Sequence, residues 1–201
     1  MDVLVVIDMQ NDFISGSLKG RDTEKLLDKV VEKVNEFHGE VIYTLDTHYE
    51  DYLKTKEGEN LPIKHCIKGT WGHEIADELK ETRSFEKSKK FEKNTFASIE
   101  LGEYLKKLDE KKGIDSIYFL GLVADICVVS NVLLVKGFLP EKNIYLYKDL
   151  TEGLTEEKKK SAIDVMESCH IKIKAHWQIK LVCFYKVNFS LIGIKKVSMS
   201  T

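Results

Sequence analysis

Ile117-Tyr-Phe-Leu-Gly-Leu-Val-Ala-Asp-Ile-Cys127 is an apolar run that closes on a cysteine. Ile117 to Leu122 reads as a buried strand, and Ile126 to Val135 as the apolar helix that follows it. A thiol at such a strand-to-helix turn sits over the positive end of the helix dipole, where thiolate is favoured over thiol. Cysteine among apolar residues is also a common inert core side chain. Cys127 is therefore a candidate nucleophile whose standing depends on what lies near it.

Working outward, the same strand-then-helix pattern recurs. Val3 to Ile7 is a continuous β-branched run, as expected of a parallel strand covered on both faces, and it ends at Asp8. Residues 22–37 place Leu26, Leu27, Val30, Val31, Val34 and Phe37 at helical spacing, with Asp22 or Thr23 as cap. A strand over Val41 to Leu45 ends at Asp46. The charged segment from Tyr49 to Lys68 reads as a long loop, a candidate functional one at that length. Helical patterns follow near 72–80, 98–111, 125–137 and 155–168, with strand-like runs at 117–122 and 143–147. This alternation predicts a Rossmann-like α/β fold, a three-layer α/β/α sandwich around a central, mostly parallel sheet. Ligands bind beyond the carboxyl ends of such strands. Asp8, Asp46 and the turn before Cys127 all fall there.

At 201 residues, 43% hydrophobic and 32% charged, the chain has the composition of an ordinary globular protein. A net charge of -2, from 31 basic and 33 acidic residues, gives no argument for nucleic acid. The start, MDVLVVIDMQ, lacks the basic beginning and long apolar core of an export signal. No stretch reaches the roughly 20 apolar residues of a membrane span. A cytoplasmic protein with a small-molecule partner is expected, with Cys66, Cys127, Cys169 and Cys183 reduced. No CxxC pairing points to a four-cysteine zinc site. Residues 1–175 are expected to form one domain. Residues 176–201 form an atypical tail, acid-free and rich in aromatic and β-branched residues, that would add strands, cover a surface of a homo-oligomer or stay poorly ordered.

Three kinds of residue bear on the chemistry. Burying a lone carboxylate is costly, so Asp8 needs a partner, and an adjacent parallel strand would bring it to Cys127 as proton acceptor and donor. A lysine beside the thiol would favour its ionised form. Lys87, Lys89, Lys90 and Lys93 are all available, and residue type alone does not separate them. Asp46 and His48 alternate, so they share a face of a continuing strand, and His65 lies across the loop. One carboxylate and two imidazoles suit zinc or another divalent transition ion. The competing reading is a surface Asp-x-His and an unrelated loop histidine.

Taken together, Val5-Val-Ile-Asp-Met-Gln-Asn-Asp-Phe13, Asp46-Thr-His48, Leu61 to Thr70, Glu92-Lys-Asn-Thr-Phe-Ala-Ser98 and Gly121 to Val128 resemble, in order, the isochorismatase-like cysteine hydrolases, and most closely their nicotinamidase branch. The resemblance implies a catalytic triad of Asp8, Lys93 and Cys127, with Lys90 as fallback. It implies a cis peptide at Leu122–Val123, with the amides of Val123 and Cys127 facing a developing oxyanion, and Phe13 as a wall against the substrate ring. It places a divalent metal on Asp46, His48 and His65, zinc first, with manganese or iron as alternatives. Where some members carry a further histidine this chain has Lys54, so a three-ligand site completed by water is expected. Pro62 stands where some members carry a tryptophan. The implied reaction is hydrolysis of nicotinamide through a cysteine thioester. Its rivals are hydrolysis of another small amide and a non-catalytic binding protein of the same fold.

Overall fold

The structure, a computed structural model, describes residues 1–176. In chain order it runs β1 (Asp2–Ile7), α1 (Asn11–Ile14), α2 (Thr23–Glu36), β2 (Glu40–Asp46), α3 (Lys56–Asn60), α4 (Asp77–Lys80), β3 (Lys89–Lys93), α5 (Ile99–Lys112), β4 (Ser116–Leu122), α6 (Val129–Phe138), β5 (Asn143–Glu152), α7 (Glu156–Ser168) and β6 (Lys172–Lys174). The strands form one six-stranded sheet in the order β3-β2-β1-β4-β5-β6. Every pairing in it is parallel. The expected three-layer α/β/α sandwich is the fold.

Successive side chains of a strand point to opposite faces, and β1 feeds two cores in this way. Val3, Val5 and Ile7 meet Leu101 and Leu105 of α5, Val132 and Val135 of α6 and Met166 of α7. Leu4 and Val6 meet Leu26, Leu27, Val30 and Val34 of α2 and Leu79 of α4. A strand with no solvent face reads as continuous hydrophobic sequence, which is why Val3 to Ile7 stands out. Among the described residues no helix is long and apolar enough to cross a membrane.

Several elements differ from the sequence reading. β3, KKFEK, has an exposed pattern broken only at Phe91 and Lys93, so no apolar run announces it. β6 has three residues and β5 runs on to Glu152 past a register shift between Phe119 and Gly121. The loop after Tyr49 contains a 3-10 turn over Tyr52–Lys54 and then α3, whose cap Thr55 accepts from the Gly58 amide at 3.0 Å. The pattern near 72–80 divides into a 3-10 turn at Trp71–His73 and α4. Asp22 holds the cap position of α2 without a side-chain cap, and the Thr23 hydroxyl donates instead to Ile14 O at 2.8 Å. The atypical tail from residue 177 onward lies outside the described residues, as does Cys183.

The centre of the sheet depends on Gly121, at φ +117°, in register with Ile7 of β1. A Cβ there would stand 2.1 Å from the Ile7 carbonyl oxygen, a backbone atom in the middle of the sheet. Gly121→Ala is therefore expected to cost more than about 1 kcal/mol, read as a drop in Tm of at least about 3 °C for a domain of this size. An unchanged Tm would show that β1 and β4 separate freely at this point.

Candidate active site and cation cluster

Four neighbouring strands deliver one polar side chain each to the same edge of the sheet. Asp8 follows β1, Asp46 ends β2, Lys93 ends β3 in register with Asp46, and Cys127 follows β4. Parallel strands end on one side, so residues far apart in sequence become neighbours. Asp8 takes a left-handed backbone, φ +47°, rare for a residue with a side chain and a mark of functional positions.

Lys93 is 4% exposed. Its Nζ lies 2.7 Å from Asp8 Oδ2, 3.5 Å from Asp46 Oδ1 and 3.5 Å from Cys127 Sγ. The other Asp8 oxygen accepts from the Thr44 hydroxyl at 2.6 Å. Lys87, Lys89 and Lys90 are exposed, and Lys90 Nζ donates to Phe85 O at 3.0 Å, away from the site. The structure thus brings Asp8, Lys93 and Cys127 together and leaves the other three lysines out.

Burial opposes the Lys93 charge, but the acidic groups around it, Asp8 first and Asp46 with it, outweigh that, and the ammonium is held well above its ordinary range. Burial lifts Asp8 above its usual value of 3.8, Asp46 adds to the lift, and Lys93 and Thr44 partly offset it. Burial also raises the Cys127 thiol, reinforced by Asp8 and Asp46 and opposed by Lys93. This corrects the expectation of a thiolate favoured by a helix dipole. Residues 124–128 form a π-turn in which Ile126 and Val128 both donate to Val123 O, and α6 begins only at Val129. Burial and the neighbouring acids thus favour the protonated thiol at Cys127, against the pull of Lys93.

The Leu122–Val123 peptide is cis. Leu122 is buried in the core on the α2 face, whereas Val123 lines the cavity. That cavity, of about 920 Å³, also includes Phe13, Asp46, His48, Tyr52, Glu57, His65, Phe96 and Cys127. The Phe13 ring stands 5.8 Å from that of His65.

Across the cavity, donor atoms of Asp46, His48, Glu57 and His65 all lie within 4.8 Å of one another. Asp46 Oδ2 is 3.0 Å from His48 Nε2 and 3.3 Å from His65 Nε2. Glu57 Oε1 is 3.6 Å and 3.8 Å from the same two nitrogens. His65 Nδ1 lies 2.8 Å from Ile63 O, which can only accept, so Nδ1 carries hydrogen; Nε2 then donates to Asp46 in the protonated ring and offers a lone pair to a cation in the neutral one. Two carboxylates and two imidazoles converging in one small space call for a cation or shared protons. The set of two nitrogens and two oxygens fits zinc, manganese or iron. The cluster therefore has four members, and Glu57 is added to the expected three. No signal singled it out, because the same loop carries Glu50, Asp51 and Glu59. Cys66 stays outside the cluster: buried, it donates through its amide to Asp12 Oδ2 at 2.7 Å.

Burial, which alone would raise Asp46, is overcome by hydrogen bonds from both histidines and by Lys93, so Asp46 is held well below its usual range. His65 is raised overall: burial pulls it down, and Asp46, Ile63 O and Glu57 more than offset that. Tyr52, fully buried, packs its ring 4.5 Å from that of His48 and 5.0 Å from that of His65. Gln10 clamps Asp46 at both backbone groups. Its Oε1 accepts from Asp46 N and its Nε2 donates to Asp46 O and His73 O, all at 2.8 Å. Gln10 and Thr44 have no signal in composition or periodicity, although Gln10 lies inside the motif quoted around Asp8.

The isochorismatase domain family matches residues 2–175. A nicotinamidase of Saccharomyces cerevisiae is 23% identical over 221 residues, covering 88% of this chain and 97% of that protein. Among solved structures, a pyrazinamidase of Pyrococcus horikoshii in complex with zinc superposes with a TM-score of 0.73 at 26% identity, covering 87% and 98% of the two chains. An N-carbamoylsarcosine amidase of Thermoplasma acidophilum gives 0.67, also at 26%, covering 87% and 95%.

Partners that orient a ligand are worth about 10–100-fold in metal affinity. Gln10→Leu is therefore expected to weaken zinc binding by about that factor, read by competition with a chromophoric chelator. Unchanged affinity in the folded variant would mean that β2 alone positions Asp46.

Proposed function

We propose that this chain, which belongs to the isochorismatase family, is an amidohydrolase that converts nicotinamide to nicotinate and ammonia through a thioester on Cys127. The observation that carries this reading is the ion pair of Lys93 and Asp8, 2.7 Å apart, with Cys127 Sγ 3.5 Å from the same ammonium. A pure binding protein has no use for a buried thiol, carboxylate and ammonium in one cavity. The family's nicotinamidases and the amidase neighbours above support an amide as substrate.

Asp8 accepts the thiol proton as Sγ attacks the carboxamide carbon, and a C–S bond forms. The oxyanion is met by the amides of Val123 and Cys127. Asp8 then passes its proton to the nitrogen, the C–N bond breaks and ammonia leaves. A water molecule, deprotonated by Asp8, adds to the thioester; the C–S bond breaks and the proton returns to sulfur. Lys93 keeps a positive charge beside Asp8 and Cys127 throughout. Phe13 offers its face to the substrate ring. A divalent cation held by Asp46, His48, His65 and Glu57, zinc first with manganese or iron as alternatives, would supply a Lewis-acidic docking point for the pyridine nitrogen. Residues 1–175 are the hydrolase domain in this reading, and the partner is a small amide.

The cavity favours a second reading, a bulkier amide. At about 920 Å³ it lies near the top of the roughly 300–1,000 Å³ range of pockets that hold drug-sized ligands. A panel of amides ranked by kcat/KM separates the two, nicotinamide leading in the first case and trailing in the second.

Cys127→Ala is expected to abolish ammonia release from nicotinamide while preserving nicotinate binding and Tm; undiminished release would refute the thioester. Treatment with chelator should lower kcat/KM, and zinc or manganese should restore it. Because burial and Asp46 lift Asp8 above 3.8, and catalysis needs it ionised, kcat/KM should fall as pH drops through that raised value. An acid limb at the ordinary carboxylate range or below would exclude Asp8 as the base.

A further inference from the structure

We infer that Asn131 is a positioning residue, whose one carboxamide holds the Cys127 turn and the wall formed by residues 94–98 in a fixed relation; its catalytic consequence rests on the amidase reading above. Asn131 lies in the first turn of α6 and is fully buried. Its Nδ2 donates to Cys127 O at 2.7 Å and to Phe96 O at 2.9 Å, and its Oδ1 accepts from Ser98 N at 3.0 Å. Both amide hydrogens are thereby used, and the oxygen as well.

These three backbone groups belong to two segments distant in sequence. One is the π-turn that carries the nucleophile. The other is the connection from β3 to α5, which begins at Lys93 and ends at Ser98, whose hydroxyl caps α5 by accepting from Leu101 N at 3.1 Å. Asn94, Thr95 and Phe96 of that connection line the cavity. Phe96 is 43% exposed, so packing does not fix its ring, and the Asn131 amide holds its backbone instead. The neighbours of Asn131 on α6, Val132 and Val135, belong to the apolar core. An amide in that setting is costly unless bonded and is a poor helix former. Simple space-filling would be served better by leucine.

The test compares Asn131→Thr with Asn131→Leu. A threonine hydroxyl reaches the carbonyl four residues back, so it keeps the bond to Cys127 O but cannot span to Phe96 and Ser98. Leucine loses all three bonds. Per folded molecule, the leucine variant is expected to lose about 10²-fold in kcat through misplacement of the nucleophile. The threonine variant should keep kcat near native and raise KM about fivefold to tenfold, because only the wall is released. Native kcat and KM in both variants, or identical losses in both, would overturn the inference. Should the leucine variant fail to fold, Asn131→Asp takes its place, keeping the acceptor for Ser98 and losing both donors. Alkylation of Cys127 by iodoacetamide decides the matter even if the native protein releases no ammonia from nicotinamide. In that case the amidase reading fails, yet an altered rate with leucine and a native rate with threonine still support the inference. Equal rates in all three proteins overturn it.

Discussion

Lys93 carries a charge into the protein interior, and the surrounding architecture follows from that constraint. A buried ammonium is costly unless paired and hydrogen-bonded. Here its partners are Asp8 Oδ2 at 2.7 Å and Asp46 Oδ1 at 3.5 Å, both carboxylates also buried. Neither acid is tolerable there alone, and neither is close to Lys93 in sequence. Only the strand order β3-β2-β1 makes them neighbours, and the parallel sense of all three strands puts their ends on one side. β4 then adds Cys127 from the far flank of β1.

Asp46 joins this ionic group to the second one. One of its oxygens faces Lys93 and the other faces His48 and His65. A single carboxylate is therefore shared between the thiol side of the cavity and the cation side, so the two cannot be tuned independently. Its backbone is held by Gln10, which follows Asp8 by two residues and bonds both the amide and the carbonyl of Asp46. The chain stretch that carries Asp8 thus also fixes the position of the shared carboxylate. His48 is pinned in turn to the loop that bears His65, through His48 N to Cys66 O at 2.9 Å and Lys68 N to His48 O at 2.8 Å.

The legible and illegible parts divide along physical lines. Val3 to Ile7 and Ile117 to Leu122 could be read directly, because strands covered on both faces must be apolar throughout. β3 could not, because at the sheet edge its residues mostly face solvent, and its sequence is four charged residues around Phe91. Composition and periodicity do not separate Lys93 from Lys89 and Lys90; only the motif that follows it, Asn94 to Ser98, sets it apart in the sequence. The spacing of Asp46 and His48 was readable, since alternation on a strand is a local property. Glu57 was not, since its approach to the histidines depends on how α3 folds back within a loop of many acids. The state of the thiol is likewise set by tertiary surroundings. Local sequence places Cys127 near a helix start, whereas its burial beside Asp8 and Asp46 pushes the thiol up, against Lys93.

Sequence alone, then, determined the alternation of strands and helices, the parallel sheet and the polar residues at strand ends, because each follows from local periodicity and the cost of burying unpaired charge. The motif around Lys93 pointed to it by resemblance, but tertiary structure alone decided that its ammonium is buried between two acids, which acid completes the cluster with the histidines, and which amides brace Asp46 and Cys127. Those outcomes rest on distances of a few ångströms between segments up to a hundred residues apart, and no local pattern encodes them.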